Sequence, residues 1–97
     1  MRIELHPEAD AEVAAQIDYY NDREAGLGER YYRHVLSCLD WIVENPTLPR
    51  RRGKFYRVNL KAFPFYVAYV IKGDLIWILA VARGSRRPGY WKGRAGS

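Results

Sequence analysis

Beyond a short N-terminal segment, the hydrophobic period of this chain changes from helical to alternating, and the change follows a proline. Upstream, Ala9, Val13, Ile17 and Tyr20 recur at helical spacing. Tyr31, Val35, Leu39 and Ile42 form a second stripe, with Tyr32, Leu36 and Val43 beside it. Downstream of Pro46, Tyr56, Val58 and Leu60 alternate with Phe55, Arg57 and Asn59, as in a half-buried strand. A chain whose helices precede its strands folds into segregated layers, with the helices covering one sheet face. The expected class is therefore α+β.

Local signals set the boundaries. Arg2 to Leu5 reads as a short strand ended by His6-Pro7, and proline suits the first turn of a helix, where its missing amide would be unpaired anyway. Glu8, Asp10 and Glu12 fall in the first turns, where the helix dipole favours acids. That helix should run to about Arg23, with Ala25-Gly26-Leu27-Gly28 as a tight connection into the second. Asn45-Pro46 ends the second helix, because the residue before proline is pushed out of the α region. The result is an antiparallel αα-hairpin. Phe63-Pro64 closes the first later strand, Phe65 to Ile71 is the next, Lys72-Gly73-Asp74 a hairpin turn, and Leu75 to Ala82 the last. These three form an antiparallel three-stranded meander, with the N-terminal strand joining the sheet's edge. The other sheet face, and whatever leaves the last strand, should stay available to a partner. Residues 1–92 are read as one domain and 93–97 as a loose tail.

Charge is segregated along the chain. Residues 1–49 carry four arginines against ten acids, a balance of −6, while residues 50–97 carry twelve lysines and arginines against Asp74, a balance of +11. Such separation points to one surface for an anionic partner. No apolar run reaches the roughly 18 residues that span a bilayer, and the N-terminus lacks a signal-peptide apolar region. The protein is expected in the cytoplasm, away from membranes. The single cysteine, Cys38, has no partner for an internal disulfide and reads as a small buried side chain. No Cys/His cluster has metal-ligand spacing and no glycine-rich phosphate loop is present, so no metal or cofactor is expected. His6 reads as a cap or turn residue, and His34 as a surface or helix-packing one. Tyr19, Tyr20, Tyr31 and Tyr32 read as packing across the hairpin, with Trp41 and Trp77 also in the core.

Several small signals, in order and over nearly the whole chain, resemble the RelE/ParE toxin superfamily, and within it the ParE-like branch. They are Tyr19-Tyr20, Leu27-Gly28 with Tyr31 or Tyr32, Asn45-Pro46, and Phe63-Pro64-Phe65 with Tyr69. Ala80-Val81-Ala82-Arg83, Arg86-Arg87-Pro88 and Tyr90-Trp91 complete the set. The resemblance implies the toxin of a type II toxin–antitoxin pair. A ParE-like toxin acts by inhibiting DNA gyrase and is neutralised by an acidic ParD-like antitoxin in a hetero-oligomer. The toxin then meets operator DNA only through that antitoxin.

RelE-like relatives instead cut messenger RNA on the ribosome. Attack by a 2′-hydroxyl needs a proton acceptor, charge to stabilise the phosphorane and a proton donor for the leaving oxygen. In RelE-like enzymes lysines, arginines and a late tyrosine fill these roles, and Lys54, Arg57, Lys61, Arg83 and Tyr90 are the candidates here. The RelE branch carries an arginine early in the strand that here reads Phe65-Tyr66-Val67. Losing that cation is worth about 3–4 kcal/mol by analogy with an oxyanion donor. The resemblance therefore favours a toxin that binds without covalent chemistry of its own. A degenerate toxin that only binds antitoxin is the third reading. For target or antitoxin contact the candidates are Arg52, Arg57, Arg83, Arg86, Arg87, Tyr90 and Trp91. They are expected to converge on one basic sheet edge, with Arg50-Arg51-Arg52 and Lys54 as a solvated loop beside it.

Overall fold

The structure, a computed structural model, describes residues 1–96. Strand β1 (Arg2–Leu5) leads into helices α1 (Pro7–Arg23) and α2 (Leu27–Glu44). Strands β2 (Arg51–Arg52), β3 (Phe55–Asn59), β4 (Phe65–Lys72) and β5 (Leu75–Arg83) follow. A 3₁₀ turn over Lys92–Gly96 ends the described chain. The sheet has five strands in the order β1-β5-β4-β3-β2, with β1 parallel to β5 and every other pair antiparallel. The predicted α+β class, helical hairpin and edge position of β1 are all present. The meander gains β2, because two of the arginines read as a loop pair with Tyr56 and Phe55.

Each helix end has a local cause. The His6 ring nitrogen Nδ1 accepts a hydrogen bond from the Glu8 amide at 3.0 Å, capping α1 just ahead of Pro7. At the end of α2, the Asn45 side-chain amide donates to the Trp41 carbonyl at 3.1 Å. The Tyr69 hydroxyl then donates to the Pro46 carbonyl at 2.8 Å, tying the hairpin to β4. The predicted connection is shorter than expected, since Leu27 and Gly28 lie inside α2. Gly28 is a point of close helix approach. Its amide donates to Asn21 Oδ1 at 2.8 Å, and a Cβ there would collide with the Ile17 carbonyl and the Asn21 side chain.

The helix-facing core is built on large rings. Tyr31 is fully buried and packs 5.4 Å from Tyr20, 5.6 Å from Phe63 and 5.1 Å from Phe65 between ring centroids. Ile42, Ile76, Ile78 and Val67 fill the remaining space. Only one member of each tyrosine doublet faces inward, because neighbours on a helix point about 100° apart. Tyr19 and Tyr32 are thus exposed, as is Trp41, contrary to the sequence expectation.

Candidate functional site

The sheet face away from the helices is covered by the chain's own C-terminal segment. On β4, Tyr66, Ala68 and Val70 point to this face, and on β5 so do Leu79, Ala80 and Ala82. A register shift at Ala68/Tyr69 lets the consecutive Leu79 and Ala80 share it. Three alanines leave the face shallow, and Trp91 and Ala95 fill the depression, each 6% exposed. Trp91 Nε1 donates to the Tyr66 hydroxyl at 2.9 Å, and its ring stands edge-on to Phe55 at 5.3 Å. This face is therefore not the open one expected. The loose tail expected over 93–97 is likewise a docked strap as far as Gly96, because burying Trp91 and Ala95 offsets the cost of ordering it; Ser97 lies outside the described residues.

A polar clasp holds the strap. β1 pairs only with Leu75 to Ile78, so the β5 edge beyond it lacks a neighbouring strand. Arg94 Nη1 donates to the Leu79 carbonyl at 3.0 Å, and the Val81 amide donates to Glu12 Oε1 at 3.3 Å. Glu12 Oε2 accepts from the Tyr90 hydroxyl at 2.6 Å and from Arg94 Nη2 at 3.1 Å. Arg86 lies 3.9 Å from the same oxygen. Burial, then the hydrogen bond to Glu12 and its charge, hold the Tyr90 phenol well above its ordinary ionisation range. For Arg94, burial disfavours the cation, but the bond to Glu12 and the charges of Glu12 and Glu8 outweigh it and raise its pKa. Gly89, at φ +74°, turns the chain so that Tyr90 reaches the clasp and Trp91 the sheet face.

Beside the strap lies a basic groove. Arg50, Arg52, Arg57 and Lys92 surround a hollow of about 150 Å³ floored by Phe55, Tyr66 and Trp91. The Arg57 guanidinium carbon sits 3.7 Å from the Tyr66 ring centroid, close enough to lie flat on it. Lys54 and Lys92 each approach the Phe55 ring at 5.7 Å. Among the described residues the ion pairs use Arg2, Arg86 and Arg94, and no acid lies within 4.0 Å of the groove's cations. Two further hollows, about 220 and 340 Å³, adjoin the first and also take in Arg57, the second ending at Gly84 and Ser85.

The predicted contact residues divide between these places instead of forming one edge. Arg52, Arg57 and Trp91 belong to the groove. Arg83 pairs across from Phe65, so it projects to the helix side, 5.0 Å from that ring. Arg86 lies on Tyr90 at 3.9 Å within the clasp, and Arg87 is exposed on the turn between. The candidates for RNA cleavage are dispersed as well. Lys54 and Arg57 lie over the outer face, while Arg83 and Tyr90 line a hollow against α1. Lys61 lines a cleft of about 410 Å³ between α2 and β3, together with His34, Cys38 and Trp41. Sequence reasoning missed Glu12, Arg50, Lys92 and Arg94. Arg50 left a signal in the run Arg50-Arg51-Arg52, read as a solvated loop, and Glu12 left one as an acid beside Val13 and three residues after Ala9 on a buried stripe, where a carboxylate needs a partner.

The model of the ParE toxin of type II toxin-antitoxin systems, parDE, matches residues 3–88. No curated protein matches the sequence. Among solved structures, the fold is similar to a chain of the chromosomal ParDE TA system from P. aeruginosa. The TM-score there is 0.75 at 20% identity, over 86% of this chain and 95% of that one. It is also similar to the isolated E. coli RelE toxin, with a TM-score of 0.63 at 15% identity over 98% and 96% of the two chains.

Proposed function

Because the chain belongs to the ParE toxin family of type II toxin–antitoxin systems, we propose that it inhibits DNA gyrase by binding, and that a ParD-like antitoxin neutralises it. The observation that carries binding over cleavage is the dispersal of Lys54, Arg57, Lys61, Arg83 and Tyr90 around separate hollows. A 2′-hydroxyl attack needs its acid, base and charge stabiliser around one phosphate. Tyr90, the late tyrosine, has its hydroxyl committed to Glu12. The basic groove is the surface best suited to a target, since its cations pair with no acid among the described residues and its arginines are exposed.

An acidic antitoxin segment would answer Arg83, Arg86 and Arg87, outside the basic groove, with charge-assisted hydrogen bonds. Its apolar side chains would enter the cleft between α2 and β3, where Trp41 is exposed. Toxin and antitoxin would then form a hetero-oligomer that reaches operator DNA through the antitoxin alone. No described helix is long and apolar enough to cross a membrane, which suits work in the cytoplasm. A supercoiling assay tests the target. Antitoxin-free protein should inhibit gyrase, and full supercoiling in its presence, with translated messages cut instead, would replace this reading with the endoribonuclease one.

A further inference from the structure

We propose that the groove centred on Arg57 is a binding site for a single nucleic-acid strand. Three adjoining hollows share Arg57 and run from the strap at Lys92, past Asn59, to the turn at Gly84 and Ser85. Such a row of small hollows suits an extended chain. Arg50, Arg52 and Lys92 supply positive charge around a strip of aromatic floor, with no acid of the described chain to neutralise them. Phosphates need that charge.

The floor favours a nucleic acid over an acidic peptide. The Arg57 guanidinium carbon lies 3.7 Å from the Tyr66 ring centroid and the side chain is exposed, so the guanidinium offers the groove a platform on which a base can stack. Phe55, half-buried between Lys54 and Lys92, offers a second apolar ring. Base stacking on such surfaces is tolerant of sequence, and the charge makes affinity dependent on salt. A peptide of acids would satisfy the cations and leave the stacking surface unused. For its setting this site rests on the gyrase reading, in which the toxin sits on an enzyme that handles DNA.

Fluorescence anisotropy of a labelled oligothymidylate, about ten nucleotides long, tests it with the purified protein alone. Saturable micromolar binding is expected at about 50 mM salt, weakening steeply as salt rises. Arg57→Ala should weaken binding about tenfold, and Arg57→Lys about threefold, because lysine keeps the charge without the plane. Arg33→Ala, which removes an equal charge from exposed α2, should stay within about twofold. Absence of saturable binding, or equal weakening by Arg57→Ala and Arg33→Ala, overturns the site. Displacement by polyglutamate as effective per charge as by unlabelled oligonucleotide overturns it in favour of an acidic protein partner. The two readings fail separately: strand binding without gyrase inhibition removes the target and keeps the site, and inhibition without strand binding does the reverse.

Discussion

The two faces of the sheet are covered by different means. The helix face is sealed by large side chains, with Tyr31 at the centre of a cluster of rings drawn from α1, the loop before β4 and β4 itself. The outer face carries alanines and is sealed by a five-residue 3₁₀ strap, one tryptophan and a clasp of polar groups. Apolar burial scales with area, so stability concentrates on the first face. The second exposes charge around its cover, which a scaffold does not need and a binding surface does. One face holds the fold, and the other carries the exposed charge that we propose meets the target.

Substitutions can break that division. The largest effect should come from Tyr31→Ala, which empties the centre of the ring cluster and should destabilise the protein by about 4 kcal/mol in denaturant titration. Trp91→Ala should cost about 3 kcal/mol, less than Tyr31→Ala because the strap can detach while the helix-facing core survives. Hydrogen exchange should then quicken in β5 and the strap while α2 stays protected. Equal loss of protection on both sides would show that the two faces do not act separately. Glu12→Ala removes the shared acceptor of Tyr90 and Arg94, whose side chain is 14% exposed and keeps its bond to the Leu79 carbonyl. About 2 kcal/mol is expected, below the range for fully buried pairs because water still reaches both partners. Tyr90→Phe, with Arg94 still paired, should cost about 1 kcal/mol on the same assay.

The helix face was legible in the sequence and the outer face was not, for physical reasons. Helical stripes and the alternation of Tyr56, Val58 and Leu60 are local signals, and they locate the elements and the core they share. The strap depends on contacts between residues far apart in the chain, such as Arg94 with Glu12 and Trp91 with Tyr66. Nothing local in a glycine- and arginine-rich tail marks such partners. The bulge in β5 adds a second obstacle, since Leu79 and Ala80 share a face that strict alternation would split. The same gap led the sequence to group the basic residues on one edge, which the structure divides. Arg57 and Arg83 look equivalent in sequence, yet their registers put them on opposite faces, over Tyr66 and Phe65.

The smallest structural change carries the most direct test. Arg52→Ala with Arg57→Ala removes two exposed groove cations and should shift stability by no more than about 0.5 kcal/mol. Titrating gyrase supercoiling with this variant beside the unsubstituted protein separates the two faces in one measurement. If the outer groove is the working surface, inhibition falls at least about tenfold with the fold intact. Undiminished inhibition by the folded variant would contradict the assignment of function to that face.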